Sequence, residues 1–596
     1  MMKRTLFAGV AIIAVGLGAQ AGADDDAPHS HPAQNIERDT AAQDKARWRD
    51  RWRWIRPAFN EGREVRSYDG SGNNAHAPLA GAAFRPFQRM THADYADDIA
   101  SMPGALRRGA REISNIVVAQ GDRSIPNSFG TSDYLWQWGQ FMDHDMTLGD
   151  GVPSDDRSHD IPVPAGDPFF DPAGAGDKWI RFDRALYDDE TGTDPGNPRQ
   201  QMNELTSWID GSMVYGSGED RALALRTNDG TGRLKTSHGD LLPFNAGGLP
   251  NANEGPIPPA QLFVAGDVRS NEQVGLTVMH TLFVREHNRW ADHIARTRPW
   301  FSDEDIYQAA RRMVIAEIQI ITYEEFLPAL IGERAMPRYR GHQTCDPTIF
   351  TEFSGAAYRL GHTLINGRIM RVDRRGHEIP EGHLALRNAF FNAPMLLTKR
   401  DDIDPVLRGL AAQKSQAYDN MIVDDLRNFL FGPPGAGGFD LAALNIQRGR
   451  DRGIAAYNDV REGLGLGRAS DFDDVSKNPE IQARLRAAYG TVDDIDLWVG
   501  GISEDPVSRE GSQLGPTFRM IVAHQFAMLR DCDRFWWERD LTKAEQAMVR
   551  RVRLSDVIVA NTGVRRAEIP DNVFYVRGEP KHGGGQGSSG WPRWRN

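Results

Sequence analysis

Cysteine is nearly missing from this chain: there are two in 596 residues, Cys345 and Cys532. Folds stapled by several bridges are thereby excluded, and the two thiols are left either as one disulfide or as two buried free groups. Positive charge is short as well. The formal net charge is -12, which argues against general nucleic-acid binding but says little about fold. Past the N-terminus no run stays apolar over the roughly 20 residues that a membrane span needs, so no transmembrane anchor is expected. Strictly alternating, strand-like runs are few. Also absent are an internal repeat, a phosphate-binding glycine-rich loop, a His-Glu-x-x-His helix and a Gly-x-Ser-x-Gly elbow.

What is present is an ordinary globular composition, 26% charged and 40% apolar, with 60 Gly and 34 Pro that imply many loops. Met1-Met-Lys3-Arg4, an apolar run from Leu6 to Ala19 and the small residues up to Ala23 read as a secretory signal peptide over residues 1–23. Export to the periplasm or the extracellular space follows. Residues 24–56 are a polar linker, its His29 and His31 included, ending in a strap from Lys45 to Arg56 that alternates cations with tryptophans. The strap either packs its indoles on the main body or makes weak contact with an anionic surface. Residues 579–596 form a flexible Gly/Ser-rich tail. Apolar spacings of three and four predict helices over 132–146, 273–297, 303–325 and 515–531, hence a mainly helical body. The stretch 150–196 is a loop long enough to look functional or metal-tied.

Trp138-Gly-Gln-Phe-Met-Asp-His-Asp-Met146 sets an amide, two carboxylates and an imidazole within six residues. At about 100° per residue, Gln140, Asp143 and His144 share one helix face while Asp145 points away. The plainer reading, a solvated surface helix, is weakened by Trp136, Trp138, Phe141, Met142 and Met146, which imply a buried helix whose charges need partners. Thr206-Ser-Trp208-Ile-Asp210-Gly-Ser212 then places oxygens at every second position, with Trp208 able to offer only its carbonyl. That pattern suits Ca²⁺, provided a second carboxylate arrives from elsewhere, and Asp145 is a candidate; otherwise it is a turn. Arg269 and Glu272 stand about one turn apart at the mouth of a strongly patterned helix, where a surface ion pair is the plain alternative. His362 follows a glycine in an apolar segment, which favours burial and fits a core histidine as well as a ligand. Leu444-Asn445-Ile-Gln-Arg448 offers an amide and a guanidinium among apolar residues.

Taken in order, Gln-x-x-Asp-His-Asp, Thr-x-Trp-x-Asp-x-Ser, Arg-x-x-Glu, Arg-x-x-His and Asn-x-x-Arg resemble the animal-type haem peroxidases of the peroxidase–cyclooxygenase superfamily. The likeness runs from Arg66 to Gly563, about five-sixths of the chain. It implies a mainly α fold in which residues 57–578 form a single large domain, with haem between central helices and long loops. By the same resemblance His144 is the distal histidine, Arg269 the distal arginine and Gln140 the distal glutamine. His362 is implied as the proximal iron ligand, with Asn445 bonded to its other nitrogen, and Arg359 and Arg448 as haem-edge contacts. Asp143 and Glu272 match the carboxylates that esterify haem methyl groups; where some relatives carry a methionine for a third link, Gln273 stands here, so a haem b derivative with at most two covalent links is implied. Asp145, Thr206, Trp208, Asp210 and Ser212 match the calcium ligands.

The implied function is that of a secreted peroxidase. It reduces H₂O₂ through a ferryl porphyrin radical, then oxidises halides or thiocyanate by two electrons, or phenols by one. Two alternatives stay open. A fatty-acid dioxygenase of the same superfamily would need a tyrosine three residues before the proximal histidine, where Arg359 stands and Tyr358 is one residue off. A non-catalytic adhesion or matrix protein on the same fold is disfavoured by intact His144, Arg269 and His362.

Overall fold

Five helices position the site, and in each the start is explained locally. They are α1 (Tyr134–Met146), α2 (Val274–Thr297), α3 (Asp303–Ile321), α4 (Leu441–Asp451) and α5 (Pro516–Asp531). Gln273 caps α2 by accepting from the Gly275 N–H at 2.6 Å. Ser302 and Asp305 form a reciprocal capping box on α3, Asp440 caps α4, and α5 opens on Pro516. Helix α1 has no side-chain cap; burial holds it instead. Ten of its thirteen residues are buried, too many for an amphipathic surface helix. The three that are not, Gly139, Gln140 and Asp143, lie on one stripe and mark the wall of a cleft.

This computed structural model describes residues 59–60, 63–149 and 151–579. The expected signal peptide, the linker and strap, and the tail beyond Glu579 lie outside the described residues. Helix boundaries fall within two residues of expectation except in α3, where the α geometry ends at Ile321 and a π turn follows over Thr322–Phe326. There the Thr322 hydroxyl accepts from the Trp138 indole at 3.2 Å, so the loosened turn is bonded to α1. The π turn leads into Leu327–Ile331, which carries Pro328 in its first turn.

α2 and α3 form the most extensive helix pair, and α1 contacts α2, the Ser212–Tyr215 turn and a 3-10 helix over Ala357–Leu364. Strand is confined to four two-residue antiparallel pairs among the described residues. One pairs Arg85 with Asn203, and the Asn203 amide donates to Met146 O at 2.8 Å and accepts from Leu148 N at 3.0 Å, fixing the end of α1. The 150–196 loop is tied by aspartates: Asp171 accepts from three backbone N–H groups, and Asp167 pairs with the buried Arg111, which also holds Asp440 at the start of α4. Cys345 and Cys532 are joined in a disulfide, Cα–Cα 5.1 Å, linking the loop before the 3-10 helix to the end of α5. No described helix is long and apolar enough to cross a membrane.

Candidate functional site

The open stripe of α1 faces the bend that precedes α2. Asp143 is half-buried; its Oδ1 accepts from the Thr147 hydroxyl at 2.8 Å and its Oδ2 faces Arg269 Nη1 at 3.4 Å. Gln140 donates to Glu272 at 2.9 Å and accepts from Gln273 at 3.1 Å. Gln273 also donates to Gln137 at 2.7 Å. Gly275 admits this amide chain, since a Cβ there would lie 2.5 Å from Gln137 Oε1.

His144 is buried beneath the stripe, Nδ1 3.5 Å from Asp267 and Nε2 3.8 Å from Glu272. Both distances exceed a firm hydrogen bond. Burial, then the Arg269 charge, pushes the imidazole well below its ordinary pKa against the pull of Asp267, so His144 is a neutral base at pH 7. Arg269 grips both oxygens of Asp267 at 2.9 Å and donates to Thr147 O at 2.9 Å. Burial opposes both charges of this pair, but each outweighs it for the other: Asp267 is held far below the carboxylate range and Arg269 above its ordinary value. The Arg269–Glu272 ion pair considered from sequence is replaced by Arg269–Asp267. Asp267 escaped sequence reasoning; the only signal, an Asp-x-Arg spacing, is common on surfaces.

His362 lies in the Ala357–Leu364 3-10 helix. Its apolar neighbours predict burial, yet it keeps part of its surface, as do Arg359, Gly361 and Arg448. Burial, then Arg359 and Arg448, drives its pKa down to about 3, so this imidazole is neutral too. Its Nδ1 lies 2.8 Å from Asn445 Nδ2, while Asn445 Oδ1 is buried with no partner. A half-turn of the Asn445 amide exchanges its oxygen and nitrogen. Exchanging them lets Oδ1 accept from Nδ1–H and leaves the Nε2 lone pair for a metal, the tautomer that an imidazole ligand requires. Arg359 donates to Ser354 O at 3.0 Å.

Asp145 turns to the other side of α1. Its Oδ2 accepts from Gly211 N at 3.3 Å, its carbonyl accepts from the Ser212 hydroxyl at 2.7 Å, and Oδ1 is buried without a partner. Asp210 accepts from Thr206 Oγ1 at 2.9 Å and Ser212 N at 3.1 Å. The tight turn depends on Gly211, at φ +74°. Burial, then the neighbouring Asp210, pushes Asp145 well up, and burial raises Asp210 to about 6. Two sealed carboxylates with an orphaned oxygen, beside the hydroxyls of Thr206 and Ser212, suit a hard cation. Among the described residues no three His, Cys, Asp or Glu side chains cluster as a metal site; a cation here would need neutral oxygens to complete its shell.

A family model described as animal haem peroxidase matches residues 65–574. Peroxinectin A from Dictyostelium discoideum is 37% identical over 532 residues, 87% of this chain and 96% of that protein; of two longer relatives the chain spans 34% and 38%. Among solved structures, Peroxidase A from Dictyostelium discoideum superposes with TM-score 0.79 at 35% identity, covering 86% of this chain and all of that one. A fatty acid alpha-dioxygenase from Oryza sativa reaches TM-score 0.70 at 22% identity over 86% of this chain and 87% of its own, a likeness of fold alone.

Proposed function

This chain belongs to the animal haem peroxidase family, and on that premise we propose a division of labour within its cleft. It is an oxidoreductase that acts on hydrogen peroxide with haem as cofactor. The haem supplies the redox-active iron and the electrons that peroxide takes. His362 would hold the iron through Nε2, with Asn445 fixing ring orientation. Asp143 and Glu272, both reaching the cleft surface, would tether the haem by ester bonds. Gln273 is committed to Gln137, Gln140 and the α2 cap, which supports two links at most. Arg359 and Arg448 would meet the haem edge.

One observation supports the reading: the helix that bears His144, beside a fixed Arg269, packs against the 3-10 helix that bears His362, and both imidazoles are held neutral. His144 can take a proton from one peroxide oxygen and return it to the other as the O–O bond breaks. Arg269, immobilised by Asp267, stabilises the charge that develops on the departing oxygen without having to reorganise. Asp267 acts as a positioning residue for both. Gln140 would bind the small donor, a halide, thiocyanate or a phenol. Asp145, Asp210, Thr206, Ser212 and the Trp208 carbonyl would hold Ca²⁺ and brace α1. The N-terminal leader would send the protein out of the cell or to the periplasm.

Stopped-flow mixing of the ferric enzyme with H₂O₂, followed by bromide, iodide, thiocyanate, chloride or a phenol, tests this. Rapid spectral oxidation and donor-dependent return are expected; a Soret band that ignores peroxide would overturn it. The dioxygenase alternative lacks its tyrosine, because Arg359 fills the position three residues before His362.

A further inference from the structure

The helix that carries His362 also carries an oxidisable group with no part in the scheme above. Tyr358 sits four residues earlier in the same 3-10 helix, about 8 Å along its axis. Its ring is buried and its hydroxyl has no hydrogen-bond partner. Its helix packs against α1, and besides burial the Asp143 carboxylate and the Tyr323 phenol push that hydroxyl's pKa up.

From Tyr358 a row of rings leads outward. Tyr358 meets Phe526 at 5.7 Å between centroids, Phe526 meets Tyr323 at 6.0 Å, and Tyr323 meets Trp536 at 4.9 Å. Trp536 in turn meets Tyr339 at 5.9 Å and Trp537 at 6.4 Å. Trp536 is buried, whereas Tyr339 and Trp537 are partly exposed. Trp537 also lines a small surface pocket with Glu64, Arg66, Arg311 and Asp540. Rings at such spacings are ordinary core packing. This row differs in two respects: it is unbroken from cleft to surface, with all members but Phe526 readily oxidised, and Trp536 has a proton acceptor, its indole N–H facing the Glu538 carboxylate at 3.4 Å.

We propose that this row conducts electrons, and that Trp537 and Tyr339 form a second, surface site where phenols too bulky for the haem cleft are oxidised one electron at a time. The inference rests on the peroxidase reading, which supplies the oxidant. Once H₂O₂ has taken two electrons from the bound haem, one returns from Trp536 along the row while the indole proton passes to Glu538. A surface phenol then gives an electron through Trp537; the indole recovers its proton from Glu538, and the phenolic proton enters solvent in place of one consumed in forming water. Per turnover one H₂O₂ and two phenols become two waters and two phenoxyl radicals.

The test uses the full-length holoenzyme, a polyethylene glycol-tethered phenol for the surface site and iodide for the cleft. Tyr323→Phe and Trp536→Phe each keep a ring in place. Either should lower tethered-phenol oxidation by about tenfold with iodide oxidation level. In the wild type, peroxide with a nitroso spin trap and no donor should leave an adduct on Trp537 or Tyr339 by peptide mass mapping, and both variants should lose it. An adduct and a phenol rate that persist in a variant with unchanged Soret band and melting temperature overturn the conduit. Should Trp536→Phe fail to fold, Tyr323→Phe decides. Wild-type enzyme that oxidises neither donor refutes the peroxidase reading instead.

Discussion

Asp143 and Asp145 stand two residues apart on α1 and live in opposite surroundings. Asp143 opens to the cleft with its two oxygens turned to Thr147 and Arg269; Asp145 is sealed beside a second carboxylate with one oxygen unanswered. The open face balances each charge with protein groups, which leaves its bases neutral and its arginine fixed. On the sealed face burial raises both carboxylates, and a bound cation would hold them ionised. In the proposed scheme one helix joins the chemistry to a metal brace, and that coupling can be broken from either side.

The largest break is His144→Ala, which should slow peroxide reduction by about 10²–10⁴-fold while haem content and melting temperature hold, as read by stopped-flow. In the wild type that rate should stay level through neutral pH and fall only well below 6.5, because burial and Arg269 keep His144 unprotonated. A fall centred near 6.5 would show the histidine to be solvated. Asp267→Asn frees Arg269 and removes the anion beside His144; a loss of about 10–100-fold is expected, with the acid limb of the pH profile moved further down. On the sealed face, exhaustive chelation should cost about 2.7 kcal/mol relative to calcium at roughly 100 times its Kd, seen as a lower melting temperature and a several-fold slower peroxide step. Unchanged kinetics after confirmed metal loss would uncouple the two faces. Smallest on activity is Cys345→Ser with Cys532→Ser. Removing this bridge, which spans 187 residues, should cost about 2–4 kcal/mol of stability and leave the peroxide rate untouched.

The split between the two faces was legible before any coordinates, because the 3.6-residue period alone separates Gln140, Asp143 and His144 from Asp145. The helices were legible as apolar spacing. Their ends shifted by a residue or two, as at α2 where Gln273 caps from outside the helix, and α3 departed further, where Thr322 bonds to Trp138. Asp267 was not legible. Its role arises from distance to His144, and nothing in an Asp-Val-Arg triplet reports that. The aromatic row was equally hidden, since Tyr358, Phe526, Tyr323 and Trp536 belong to four separate segments.

By itself the sequence determined which residue types were available, in what order, and on which side of each helix they would lie, since helical period and turn chemistry are local. Only the tertiary structure decided who partners whom. Arg269 binds Asp267 rather than Glu272, His362 keeps an open edge despite apolar neighbours, and the two cysteines meet. Such choices depend on burial and on distances between remote segments, and these set the protonation states on which the chemistry rests.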